Sequence, residues 1–183
     1  MNKSTRKLTL SALFSALAVI SLYLASVWPT GQLGLAAVAS LFVAAAIIES
    51  GLTTAAAVFV VSSLLAFLVV PNRLPLVLYI CFFGYYPLIK SLIEKRGHIV
   101  AQLLGKLAVF FVSLTMTLFV LAGLLSYEFN ANEYIQCLDS LDYNLGLILL
   151  YAGGGVVFLL YDHGFSKLIR FYVDRISKRI GNR

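Results

Sequence analysis

Long apolar runs constrain this chain more than any other feature. Residues 8–28, 33–48, 52–70, 74–93, 104–126 and 145–161 form six such runs, most of them bounded by Pro, Gly, Asn or charge. Crossing about 30 Å of hydrocarbon as a helix takes roughly 17–25 residues, and these runs are close to that length. Spanning strands would alternate polar and apolar residues, which these runs do not do. In lipid the backbone must satisfy its own hydrogen bonds, so helices are the expected solution. Composition agrees: 61% of the residues are hydrophobic and 12% charged, against about 45–50% and about 25% in soluble domains. The expected fold is an all-α membrane protein, one transmembrane domain over residues 1–183.

Charge supplies the expected topology. Six crossings from a cytoplasmic start put the turn at Glu49, the stretch from Lys90 to Lys106 and the C-terminal tail on the inner side. Lys3, Arg6, Lys7, Lys90, Lys95, Arg96, Lys106, Lys167, Arg170, Arg175, Lys178, Arg179 and Arg183 then all lie inside, and only Arg73 lies outside. The outer loop 127–143 carries Glu128, Glu133, Asp139 and Asp142 and no Lys or Arg. This is the positive-inside pattern, with both termini cytoplasmic in a multi-pass protein of the cell membrane. The net charge of +6 is read as topology and lipid-headgroup attraction, with no nucleic-acid partner. The basic start before residue 8 reads as the flank of a membrane helix, because the apolar run is too long for a leader's core.

The tail has its own periodicity. Phe165, Leu168, Ile169, Tyr172, Ile176 and Ile180 recur at helical spacing with basic residues between them. An amphipathic helix over 165–180, lying along the inner membrane surface, is expected. The alternative is a plain extension of the sixth helix. Between the second and third runs stands only Glu49-Ser50-Gly51, a tight hairpin in which Ser50 is expected to cap the next helix and Gly51 to allow close backbone approach.

Enzyme signatures are missing from the sequence: no paired carboxylates at membrane depth, no metal-ligand spacing, no phosphate-binding glycine loop and no nucleophile elbow. His98 and His163 read as solvated interface residues. Cys81 and Cys137 read as unpaired. No catalysis, metal or cofactor is expected. Two surfaces stand out instead. Ser11, Ala12, Ser15 and Ala16 give the first helix a small-residue face, and alanines crowd the second and third. Small side chains let helices approach closely in lipid, either within the chain or against a membrane-protein partner. The second surface is a set of aromatic and polar residues toward the outer half: Trp28, Gln32, Asn72, Arg73, Tyr79, Tyr85, Tyr86 and Asn144. They are candidates to line a small-molecule pocket, while an interfacial aromatic belt is the other reading for Trp28. Gly84-Tyr85-Tyr86-Pro87 is expected to interrupt the fourth helix, and Gly153-Gly154-Gly155 to pack closely or bend the sixth.

With a basic N-terminus, the segment Leu8-Thr9-Leu10-Ser11-Ala12-Leu13-Phe14-Ser15-Ala16-Leu17 and six spans, most of the chain resembles the S components of energy-coupling-factor transporters. These are small bacterial membrane proteins that bind a vitamin or related micronutrient from outside. The resemblance implies a noncatalytic substrate-binding subunit. It also implies a coupling subunit with ATPases as partner, met through Ala12 and Ala16 on the first helix. A rod-shape-determining membrane scaffold is similar in length and span count. An accessory protein for lipid-linked intermediates is a further alternative.

Overall fold

The computed structural model describes residues 3–94, 99–125 and 143–174. Among them there are helices and turns and no strand. Helix α1 is Lys3–Val27, and a single 3-10 turn, Pro29–Gly31, reverses the chain into α2, Gln32–Ser50. Helix α3 is Leu52–Val69. The fourth apolar run divides into α4, Arg73–Leu78, a π turn at Tyr79–Phe83, and α5, Tyr86–Ile93. Helix α6 is Ile99–Leu125 and α7 is Tyr143–Tyr172.

Among the described residues, five helical stretches are long and apolar enough to cross a membrane: Thr5–Val27, Gln32–Ser50, Leu52–Val69, Arg73–Ile93 and Val100–Leu121. The run at 145–161 lies within α7. Residues 126–142, which hold Cys137 and most of the expected outer loop, and residues 175–183 of the tail lie outside the described residues.

Helix α2 is the axis of the bundle. It packs against α1, α3, the α4–α5 segment and α7, so it is surrounded. Its sequence permits this: Ala36, Ala39, Ser40, Ala44, Ala45 and Ala46 are all buried, and small side chains let neighbouring backbones close in. The alanine richness of α2 is therefore absorbed within the chain. Outward faces carry Leu64, Leu68, Val112, Phe119 and Leu160, all well exposed, as a lipid-facing surface requires.

Hydroxyls tie the helices together. The Tyr79 and Ser62 hydroxyls join the π turn to α3 at 2.8 Å. Tyr161 and Ser40 join α7 to α2 at 3.0 Å, and Tyr151 and Thr115 join α7 to α6 at 2.9 Å. Tyr85 and Ser113 pair between the turn before α5 and α6. Interhelical hydrogen bonds of this kind contribute about 0.6 kcal/mol each in lipid.

The structure corrects three expectations. Ser50 ends α2 and does not cap α3; its hydroxyl has no partner, and Gly51 is the residue at the N-cap. Gly51 turns the chain at φ 95°, where a Cβ would meet nothing within 4 Å. Its role is conformational freedom, not close approach. Third, helix 165–180 does not begin as a separate element. Helix α7 runs through Gly164 to Tyr172, held by the buried Phe165 ring and the Tyr172 hydroxyl, which donates to Glu49 Oε1 at 3.4 Å. Up to Tyr172 the tail extends the last helix. The interruption at Gly84 lies where expected, with Pro87 in the first turn of α5. Of Gly153–Gly155 only Gly154 packs closely, a Cβ there standing 3.3 Å from Phe110, while one on Gly153 would meet nothing within 4 Å.

Candidate functional site

Aromatic residues recur at helical spacing on two facing elements. Tyr79, Phe82, Phe83 and Tyr86 follow one another through the π turn into α5; Phe158, Tyr161 and Phe165 do so on α7. The π turn adds a residue to the helical repeat and brings Phe82 and Phe83 inward together, both nearly buried. Phe110 of α6 stacks on Phe158 at 4.7 Å between centroids and 16° between planes. Phe82 meets both rings edge-on.

Between this aromatic wall and α2 lies a cavity of about 440 Å³, within the range usual for small-molecule sites. Leu33, Gly34 and Ala37 of α2 face Phe82, Phe83, Phe110, Phe158 and Tyr161 across it. The space exists because α2 and α7 supply Gly34, Ala37 and Gly154 where larger residues would fill it.

Beneath the cavity, toward the end of the bundle that carries Glu49, is a cluster of charges. Lys90 is 3% exposed and Lys106 is 8% exposed; the sequence counts both among the basic residues of the inner side, and the structure buries them. Both ammonium groups converge on Asp162. Lys90 Nζ donates to Asp162 Oδ1, to the Asp162 carbonyl at 3.3 Å and to Ser166 Oγ at 2.6 Å. Lys106 Nζ donates to Asp162 Oδ2 at 3.2 Å and to Glu94 Oε1 at 2.7 Å. The cluster bonds α5, α6 and α7 at one level. Such residues near membrane depth are costly and are kept paired. Asp162 lies just past the apolar run 145–161. Burial disfavours its charge. The bonds from Lys90 and Tyr86 and the two ammonium charges overcome that and hold its carboxyl below the ordinary aspartate value.

Tyr86 connects the two parts. Its ring is fully buried against Phe82, Phe158 and Tyr161, and its hydroxyl donates to Asp162 Oδ1.

The residues expected to form the pocket are not brought together. Trp28 is 66% exposed. Gln32 opens α2, one residue before the cavity lining. Asn72 caps α4, its Oδ1 accepting from the Leu74 amide at 3.0 Å. Arg73 donates to the Phe67 carbonyl at 2.8 Å and lies over the Phe67 ring. Tyr79 and Tyr85 bond to Ser62 and Ser113. Asn144 lies in the first turn of α7, and its side chain is outside the described residues. Only Tyr86 borders the cavity region, from below. The residues missed were Phe82, Phe83, Phe110, Phe158 and Tyr161, although the ring spacing on α4–α5 and α7 was there to be read.

The expected partner face is divided. Ser15 is buried, Ser11 half-buried, and Ala12 and Ala16 exposed. Ser11, Ala12 and Ser15 line an open groove between α1 and α3, opposite Thr53, Thr54 and Ala57. Comparison of the chain with protein-family models, with curated proteins and with solved structures finds no match.

Proposed function

We propose that this chain is a noncatalytic, substrate-binding subunit of a membrane importer, resembling the S components of energy-coupling-factor transporters. It sits in the cytoplasmic membrane with six crossings and both termini inside. The observation that carries the reading is the cavity of about 440 Å³, walled by rings against which Tyr86 packs. In this topology the cavity occupies the outer half and the charge cluster the inner end, so a ligand would enter from the outer half of the bilayer. The groove between α1 and α3 suits a helix of a coupling subunit that carries ATPases.

Native mass spectrometry of the gently extracted protein tests this reading. A retained small molecule, together with copurification of an ATPase-bearing membrane partner, is the expected result. A ligand-free protein that captures only a morphogenetic partner would move the assignment to a membrane scaffold. The α1–α3 groove is the observation that favours that second reading, since a scaffold also needs an open helix-docking surface.

A further inference from the structure

We infer that the cavity takes an uncharged, flat, ring-bearing molecule and rejects carboxylates, phosphates and ammonium compounds. The inference rests on the binding-subunit reading and names its substrate class.

Three observations carry it. The first is the wall. Phe110 and Phe158 lie nearly parallel, with Phe82 edge-on to both, and aromatic rings extend such arrangements by offset stacking or edge contacts. Across from them Gly34 and Ala37 leave a slot suited to a flat body.

The second is the state of the polar atoms. Thr117 and Tyr161 bring hydroxyls to the lining, and both are already bonded within the protein. Thr117 donates to the Ser113 carbonyl at 2.8 Å, and the Tyr161 hydroxyl pairs with Ser40. The charges below are equally engaged: Lys90 has three acceptors, and Asp162 accepts from Tyr86, Lys90 and Lys106. A charged ligand would lose its hydration and find no ready counter-group.

The third is the mouth. Leu33, Gly34 and Val157 line the cavity and are exposed. The opening is therefore apolar and, in a bilayer, faces lipid. A neutral lipophilic molecule can enter there from the membrane, whereas an ion meets no charged side chain among the described residues that line the cavity.

Gly34 gives a clean test. A Cβ built there meets nothing within 4 Å, so Gly34→Leu fills the mouth without a clash and strengthens helix propensity. The probes are 2-methylnaphthalene and 2-naphthoate, matched in shape and differing in charge, added to the full chain in phospholipid nanodiscs. Melting is read for the wild type and for Gly34→Leu. The expected result is a rise of about 5–10 °C with methylnaphthalene near one hundred times Kd. That rise is absent in Gly34→Leu, whose own melting is unchanged or higher, and 2-naphthoate causes none. An equal or larger shift from 2-naphthoate overturns the inference, as does a methylnaphthalene shift that survives Gly34→Leu, or no methylnaphthalene shift at all. A phospholipid that copurifies with the wild type, is lost in Gly34→Leu and resists displacement by methylnaphthalene also overturns it, since the slot then belongs to an acyl chain. A charged micronutrient that binds elsewhere on the chain sinks the inference and leaves the importer reading standing. Methylnaphthalene binding with no coupling partner does the reverse.

Discussion

Asp162 is the residue on which most depends, because two ammonium groups and a phenol converge on it. Removing one partner of a buried pair strands the other's charge and costs about 3–5 kcal/mol. The Asp162 side chain is 17% exposed and Glu94 remains near both lysines, so Asp162→Asn is expected at the lower end, about 3 kcal/mol. Apolar replacement of a whole pair is often neutral. Lys90→Met with Asp162→Leu should therefore melt closer to wild type than Asp162→Asn, with Lys106 still bonded to Glu94. Acid provides a second check. The native carboxyl titrates below its ordinary value of 3.8, so its contribution is fully present above that value. It is lost as pH falls from there through the lower native value. The melting difference between wild type and Asp162→Asn should hold steady across neutral pH and close only below about pH 4. A gap that closes near neutrality would show that the cluster is not organised around an ionised Asp162.

At the scale of elements, two glycines set the path of the chain for different reasons. A Cβ on Gly84 would lie 2.4 Å from Phe59 Cε2 and 2.9 Å from the Tyr79 carbonyl oxygen. The ring can turn aside, but the backbone oxygen belongs to the π turn and the Gly84 amide donates to it at 2.7 Å. Gly84→Ala should destabilise by about 1–3 kcal/mol and, by shifting Phe82 and Phe83, weaken methylnaphthalene binding. Gly51→Ala meets open space, yet must hold φ near 95°. It should cost about 1–3 kcal/mol through backbone strain alone and leave probe binding intact. Comparing melting with binding for the two variants separates the roles. The helices themselves were legible in the sequence, because runs of apolar residues between Pro29, Gly51 and Pro71 leave few other ways to satisfy the backbone. The cavity was not. Polar residues near the ends, Asn72 and Arg73 among them, carry the pocket signal in the sequence, yet they bond locally to their own turns. The rings that form the wall looked like ordinary span residues. The pairing of Lys90 and Lys106 was not legible because their carboxylate partner lies far along the chain, on α7, and sequence spacing does not show which helices meet.

At the scale of the whole molecule, the burial of Lys90 and Lys106 bears on orientation. The positive-inside bias counts basic residues that face the membrane surface, and these two are neutralised by Asp162 and Glu94. Orientation then depends on Lys3, Arg6 and Lys7 in the first turns of α1, on Lys95 and Arg96, and on the basic tail. Arg73 does not oppose them strongly, since its guanidinium is folded back onto the Phe67 carbonyl and ring. The expected arrangement keeps Glu49 and Asp162 at the inner end and Asn72 at the outer. Single cysteines placed at Asn72 and at Glu49, in a chain with Cys81→Ala and Cys137→Ser, should react oppositely with a membrane-impermeant maleimide on intact cells. Asn72→Cys should be labelled directly, and Glu49→Cys only after permeabilisation. Replacing Lys90 and Lys106 by methionine should destabilise the fold without changing that labelling pattern. Replacing Lys3, Arg6 and Lys7 by glutamine should instead let a fraction of molecules insert the other way. If the lysine pair alone reversed the pattern, the two ammonium groups would have to face the membrane surface during insertion, before Asp162 reaches them.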